Sequence, residues 1–329
     1  MKRTIYFNNK PVISGASSIA GPKESCSGLS AYIETKLKDD MFGEKTFEKA
    51  ESKMLFAVLK NSIINSSKRE RDIDAIIAGD LLNQIISSTF AARNFSTAYL
   101  GVYNACATFT ESMAIGATLV DGGYMDNVIC AASSHFSSAE RQYRYPLELG
   151  CTRPPQAQWT VTGAGASVIS KCGIGPKITC STFGKVVDYG VIDVNNMGAA
   201  MAPAACDTLF THFCNTNTFP KDYDLIVTGD LGALGSRILK DLMWEKGFDI
   251  EKQHVDCGEM VFNICEEEYQ GGSGAGCSAL IFNSYLYKKL KLGEFNKVLF
   301  MATGALLSSV SSQQGESIPG IAHAVVLEN

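Results

Sequence analysis

An internal repeat at an offset of 150 residues constrains this chain more than any other feature. Residues 74–81 read Asp-Ala-Ile-Ile-Ala-Gly-Asp-Leu, and residues 224–231 read Asp-Leu-Ile-Val-Thr-Gly-Asp-Leu. Each is a short apolar run closed by Gly-Asp, the pattern of a buried strand that ends at a loop. A second correspondence follows in the same order. Cys106 precedes a small-residue stretch over 107–120, a Gly-Gly turn at 122–123, and an apolar run from Asn127 that ends in Ser133-Ser134-His135. Cys277 precedes a helical stretch over 278–292, a turn at Gly293, and an apolar run from Lys297 that ends in Thr303-Gly304. From each Cys to the Val that opens its strand, Val128 or Val298, the spacing is 22 residues in one case and 21 in the other. A weaker third match pairs Ile13-Ser-Gly-Ala-Ser-Ser with Ile178-Thr-Cys-Ser-Thr-Phe. Three correspondences in one order predict a duplicated fold.

Within each half, apolar runs alternate with helical stretches in the order strand, helix, strand, helix, strand. That order predicts an α/β protein with largely parallel, doubly covered sheets. The stretch after Cys106 carries Glu111 as its one charge over 107–120. A helix that is apolar all round belongs in a core, so it is expected between the sheets. Two segments interrupt the pattern. Residues 22–52 form a polar insertion, helical from about Thr46. Residues 136–177, with Arg141, Arg144, Arg153, Pro146, Pro154, Pro155 and Trp159, read as a long excursion between the halves. Excursions of this kind often carry function or subunit contacts. The halves are placed at 1–172, with an insertion at about 136–172, and 173–329.

The chain has 329 residues, room for one large core or two fused domains of about 150 residues. Its net charge of −5 comes without any basic stripe, which excludes an electrostatic footprint for nucleic acid. Net charge alone predicts no strong attraction to an anionic membrane. Eleven cysteines occur, none in a Cys-x-x-Cys pair, beside only four histidines. A zinc site is therefore unsupported, and no metal or cofactor is expected. Most cysteines sit in apolar segments such as Val128-Ile129-Cys130-Ala131 and read as small core residues in a reducing compartment. The opening Met1-Lys2-Arg3-Thr4 does not read as a signal peptide. No apolar run approaches the ~20 residues that span a bilayer.

The candidate site centres on Asn104-Ala105-Cys106-Ala107-Thr108, where a strand from Tyr99 to Tyr103 turns into the buried helix. A cysteine at a helix head meets free backbone N–H groups and the positive dipole end. Both favour thiolate and lower the pKa, which suits a nucleophile. The same N–H groups also receive anions. The sequence thus leaves covalent catalysis, carboxylate binding and a buried structural thiol as readings. His135 ends the next strand, where ligands gather in parallel sheets, although a lone histidine is often structural. Asp80, followed by Leu81-Leu82-Asn83, reads either as a site residue or as a turn aspartate, the latter because Asp230 repeats it. Gly271-Gly272-Ser273-Gly274-Ala275-Gly276-Cys277 is a glycine loop entering a helix. It has no phosphate-loop lysine, and its interest is that it mirrors the Cys106 turn. Arg141 and Arg144 present guanidinium forks that fit a carboxylate or a surface ion pair.

These features resemble the thiolase and ketoacyl-synthase superfamily over nearly the whole chain. The ending Ile318-Pro-Gly-Ile-Ala-His-Ala-Val-Val-Leu-Glu328 is similar to the glycine-rich closing strand of thiolases. A closer resemblance, from Gly21 onward, is to the stage V sporulation AD family of endospore-forming bacteria. It is carried by Ala78-Gly79-Asp80-Leu81-Leu82-Asn83-Gln84, Ser133-Ser134-His135 and Ala139-Glu140-Arg141-Gln142-Tyr143-Arg144-Tyr145-Pro146. Met201-Ala202-Pro203-Ala204-Ala205, Gly271-Gly272-Ser273-Gly274 and Ala302-Thr303-Gly304-Ala305-Leu306-Leu307-Ser308 extend it. The resemblance implies a thiolase-like α/β fold of two duplicated βαβαβαββ halves, with mixed, mostly parallel sheets packed around buried helices. It implies binding of dipicolinic acid, chelated with calcium, and a part in its passage across the inner forespore membrane. Membrane-embedded partners from the same operon and peripheral attachment to that membrane come with it, and a homodimer is expected by analogy with thiolases.

On that reading Asp80, Asn83, Cys106, His135 and Arg141 form the ligand site. The N–H groups of the helix would face one carboxylate, and His135 or Arg141 the other. Asp80 and Asn83 would meet the ring nitrogen, His135 or calcium. The alternative is an acyl transferase or condensing enzyme with Cys106 as nucleophile. Against it, condensing enzymes use a second-half His, and often an Asn, for proton transfer and polarisation. Here the glycine loop offers Gln270 and Ser273. Asp256-Cys257-Gly258-Glu259 lacks a His-x-x-x-Asn pattern, though His254 is near. Ser317 stands where thiolases place a second cysteine. His135 and His323 remain.

Overall fold

A computed structural model describes residues 2–143, 153–262 and 269–329. The first half runs through β1 (Thr4–Tyr6), β2 (Val12–Ala20), β3 (Thr35–Lys36), α1 (Phe47–Asn65), β4 (Ala75–Gly79), α2 (Ile86–Ala92) and β5 (Ala98–Gly101). It continues with α3 (Thr108–Asp121), β6 (Asn127–Ser134), α4 (Phe136–Tyr143), β7 (Trp159–Thr160) and β8 (Gly163–Ser170). The second half has β9 (Lys177–Thr182), α5 (Met197–Thr216), β10 (Leu225–Thr228), α6 (Gly232–Glu245), β11 (His254–Asp256) and α7 (Cys257–Val261). It closes with β12 (Gly272–Ser273), α8 (Ala275–Ile281), α9 (Tyr287–Lys291), β13 (Lys297–Ala305), α10 (Ser309–Gln313) and β14 (Gly320–Glu328).

The strand order β11-β10-β13-β14-β9-β2-β8-β6-β4-β5 reads the same from either end once the halves are matched. Each Gly-Asp run is a strand, β4 or β10, with parallel neighbours on both sides. β8 and β14 run against their neighbours, so each half points four strands one way and one the other. The halves meet where Val12 of β2 pairs with Lys177 of β9.

α3 lies between the sheets, against β4 and β6 on one side and β13 and β14 on the other. Phe109 of α3 is fully buried, with ring centroids 5.6 Å from Phe282 and 6.1 Å from Phe300 of the second half. Burying each such ring contributes about 1.5–3 kcal/mol, so this cluster binds half to half. α1 begins at Phe47 because the Thr46 hydroxyl accepts the N–H of Lys49 and caps it. Of the nine described cysteines, six are buried, as small core residues should be.

Two expectations need correction. Residues 163–170, read as part of the excursion, form the wholly buried strand β8. Its Gly-Ala-Gly-Ala start gives no apolar run, yet small residues are what the position demands. A Cβ on Gly165 would lie 2.1 Å from the carbonyl oxygen of Ala279 in α8. The excursion proper thus ends near residue 162, and Arg144 and Pro146 within it lie outside the described residues. Second, the helix expected over 278–292 is three pieces: α8, a π-helical turn at 282–286, and α9. Cys277 lies inside α8, whereas Cys106 precedes α3, so the two cysteines are not equivalent in geometry.

The close approach at Gly165 can be tested. Gly165→Ala should lower unfolding stability by about 1–3 kcal/mol or more in urea titrations, since backbone on both sides must move. A loss below about 0.5 kcal/mol would show that β8 and α8 are not in contact.

Candidate functional site

Cys106 lies at the floor of a small cavity where β5, α3, α4, β12 and β13 converge. Its walls are mostly apolar, with Leu81, Ala105, Met197 and Leu307 among them. Tyr103, Tyr143, Glu140, Thr160 and Ser273 add polar groups. The free volume is about 40 Å³, enough for two or three waters. Tyr103, Tyr143 and Leu307 also line a second cavity of about 370 Å³ that faces outward. Leu82, Asn83, Gln84, Ile85, Gln142 and Ser308 contribute to this outer cleft. The two tyrosine hydroxyls are 3.1 Å apart, and that of Tyr143 also donates to the Leu81 carbonyl. They divide an apolar inner chamber from a polar outer cleft.

The backbone places Cys106 through a strained residue, since Ala105 has φ 49°. α3 starts only at Thr108, two residues beyond the thiol. The expectation of a lowered pKa is overturned. Burial pushes the Cys106 thiol well up, and the charge of the Asp230 carboxylate, one hydroxyl away through Ser273, raises it further. Asp230 is wholly buried and accepts from Thr303 Oγ1 at 2.8 Å, Gly274 N–H at 3.1 Å and Ser273 Oγ at 3.2 Å. Burial raises its own pKa to about 6. Ser273 Oγ is 4.0 Å from Cys106 Sγ.

The glycine loop delivers these groups. Gly271 and Gly274 have φ 101° and 107°, and a Cβ at Gly274 would lie 2.7 Å from Ser134 Oγ. The Gly276 N–H donates to that same Ser134 hydroxyl at 3.0 Å. Only glycine lets the loop close on the end of β6 in this way.

Asp80 is fully buried beneath the loop that walls the outer cleft. It accepts from Leu82 N–H at 2.8 Å, Ser88 N–H at 2.7 Å and Ser88 Oγ at 2.6 Å. Burial raises its pKa. These bonds hold a turn in which Gln84 and Ile85 both have positive φ, 55° and 45°. Asn83 stands in that turn and lines the cleft. Its N–H donates to Gln142 Oε1 at 3.0 Å.

His135 and Arg141 face elsewhere. His135 Nε2 donates to the Asp40 carbonyl at 2.8 Å, and Nδ1 accepts the Ser137 N–H at 3.2 Å. Its ring centroid is 5.3 Å from that of Phe47, and burial lowers its pKa. Arg141 pairs with Glu48 at 3.3 Å over the same phenylalanine ring. Neither lines either cavity. The carboxylate that does is Glu140, which accepts from Thr160 Oγ1 and pairs with Arg153, both at 3.2 Å. His323 is tied to Gly184 N–H and to the Asn104 side chain, each at 3.2 Å, and burial lowers its pKa to about 4. Among the described residues, no histidine lines the chamber around the thiol.

Sequence reasoning passed over Asp230 as the acid linked to Cys106, along with Tyr103, Tyr143 and Glu140. The Gly-Asp repeat marks Asp230, and the glycine loop marks Ser273. The tyrosines carry no local signal, because β5 and α4 bring them together from 40 residues apart.

A model of the family described as stage V sporulation protein AD matches residues 1–328. The stage V sporulation protein AD of Bacillus subtilis (strain 168) is 41% identical over 327 residues, covering 99% of this chain and 97% of the relative. Among solved structures, 3-oxoacyl-[acyl-carrier-protein] synthase III from Aquifex aeolicus VF5 superposes with TM-score 0.60 at 14% identity, covering 97% of this chain and 100% of that one. OleA from Xanthomonas campestris, a variant solved with cerulenin, gives TM-score 0.61 at 13% identity and 98% coverage of both chains. At these identities the likeness shows the thiolase-like fold alone.

The Asp80 clamp makes a stability prediction. Asp80→Ala leaves three buried donors without an acceptor and should cost about 2–4 kcal/mol in urea unfolding. A variant within about 0.5 kcal/mol of the parent would mean the turn does not depend on Asp80.

Proposed function

The chain belongs to the stage V sporulation protein AD family, and from that premise we propose that it binds dipicolinic acid as the calcium chelate. The binding would serve transport of the chelate across the inner forespore membrane during sporulation. The observation that carries this reading is that Cys106 is linked through Ser273 to Asp230, a buried acid, at a cavity floor that opens through two tyrosines to a larger cleft. A thiol kept protonated near a carboxylate is a poor nucleophile, while the cleft has the size and mixed polarity of a small-molecule site.

The chemistry of the outer cleft favours one form of the ligand. Dipicolinate is a flat pyridine with two carboxylates, and calcium cancels its charge. Amides and hydroxyls from Asn83, Gln84, Gln142 and Ser308 are neutral partners for such a chelate. Tyr103 and Tyr143 offer rings for a flat aromatic. Asp80 would act from behind, through the turn it clamps. His135 and Arg141, on the far face of α4, are not assigned to the ligand. Among the described residues no helix is long and apolar enough to cross a membrane. Passage of the chelate would therefore depend on membrane-embedded partners, with this chain attached peripherally.

Isothermal titration should show dipicolinate binding that tightens when calcium is present, weakened about tenfold, or ~1.4 kcal/mol, by Asn83→Ala. Absence of binding with and without calcium would end this reading.

A second reading, acyl transfer through Cys106, has the cavity position of the thiol in its favour. It requires an acyl adduct on Cys106 after incubation with an acyl-thioester, visible by mass spectrometry.

We also propose a homodimer through β5. This strand is the edge of the sheet, and Leu100 within it and Tyr103 just beyond it are each about 40% exposed. Open edges of this kind invite pairing with a second copy. Since Gly101 and Tyr103 line the outer cleft, a partner subunit would stand at its rim. Sedimentation equilibrium should give a dimer that Leu100→Lys converts to monomer. A monomeric parent would refute it.

A further inference from the structure

The two halves use their repeated aspartates differently, and the difference falls on Cys106. In the first half Asp80 closes its own loop, accepting the N–H of Leu82, two residues on. In the second half that duty has moved to the neighbouring strand. Asp256, at the end of β11, accepts the N–H groups of Leu231 and Gly232, each at 2.9 Å. The same carboxylate caps α7 through Gly258 N–H at 2.9 Å and Glu259 N–H at 3.3 Å. Asp230 is thereby released from its loop. It points into the interface, where its donors come from β12, the glycine loop and β13.

We infer that Asp230 is a positioning residue that, through Ser273, holds Cys106 as a neutral thiol, so that the sulfur is not poised for nucleophilic attack. The donors around Asp230 are two hydroxyls and one backbone N–H, all neutral, so its negative charge stays uncompensated one hydroxyl away from the sulfur. The titratable groups that face Cys106 from the packed elements are Asp230, Tyr103 of the β5 exit, Glu140 and Tyr143 of α4, and Cys277 of α8. Each is neutral or negative in its ordinary range. Glu140 is paired with Arg153, so the uncompensated carboxylate that a thiolate there would meet is Asp230, and the proton stays on sulfur. Ser273 Oγ donates to Asp230 and so can accept from the Cys106 S–H, which leaves the sulfur lone pairs to the chamber. This inference rests on the ligand-binding reading but is tested without any ligand, so the two can fail separately.

The test is a pH titration of the full chain labelled with ¹³Cβ-cysteine, with the Cys106 signal assigned by Cys106→Ser. The parent should show a thiol shift that does not change through the free-cysteine pKa of about 8.5. In Asp230→Asn the titration should begin at least one pH unit lower. Labelling of Cys106 by methyl methanethiosulfonate at pH 8, followed by peptide mass spectrometry, should be at least tenfold faster than in the parent. Asp230→Glu should keep the thiol protonated. A parent Cys106 that is already thiolate below pH 8 would overturn the inference. So would an Asp230→Asn variant that labels more slowly, since Asp230 would then be activating the sulfur as a base. If Asp230→Asn does not fold, a parent Cys106 that is thiolate below pH 8 still overturns the inference.

Discussion

The contact between the glycine loop and the end of β6 governs the rest of the site. Gly276 N–H binds Ser134 Oγ, and Gly274 sits so near that a methyl group would collide with the same side chain. Through this contact the second half reaches the first at backbone distance. Ser273 and the Gly274 N–H then arrive beside Asp230, and Asp230 beside Cys106. Side chains with a Cβ at these positions would hold the halves apart and leave the thiol facing solvent or an empty gap. The neighbouring approach of Gly165 to Ala279 repeats the device one strand over. Small residues thus set the distance between the sheets, and Phe109, Phe282 and Phe300 fill the space that distance leaves.

The interior so formed is rich in acids. Asp230 and Asp256 are driven up to about 6 and about 7 by burial, and Glu51, beneath α4, is raised well above its usual range. Each is offset by hydroxyl and backbone N–H donors and not by cations. Such groups bind protons more readily folded than unfolded. Their contribution to stability is complete below the unfolded carboxylate pKa of about 4 and is lost as pH rises through 6 to 7. The structure accepts this cost at the junction of its halves, where it fixes loops and the thiol together. An acid-lined interior of this kind works against both a thiolate and a free dianion. On the proposed function, that places the chelated ligand in the neutral outer cleft and not in the chamber beside Cys106.

Much of this fold was legible in the sequence. The Gly-Asp repeat located β4 and β10, and the Cys-to-Val spacings located α3, β6 and β13. Membership of the stage V sporulation protein AD family and the thiolase-like fold were both read from residue strings and stand. What was not legible has physical causes. β8 carries small residues because α8 backs on to it, and small residues give no periodic signal. The direction of the Cys106 shift was missed because helix-head reasoning is local, whereas Asp230 comes from 124 residues away. His135 was drawn into the site by its place at a strand end. Its ring instead turns to Asp40 and Phe47, partners that belong to the polar insertion before α1 and to α1 itself.

The central claim is that this thiolase-like scaffold recognises a ligand in front of an unreactive thiol. A crystal structure of the protein grown with calcium and dipicolinate tests it most directly. The account predicts a flat ring and a calcium ion in the outer cleft against Tyr103 and Tyr143, with Cys106 unmodified behind them. Density bonded covalently to Cys106 Sγ, or a ligand seated on the His135 and Arg141 face of α4, would contradict it.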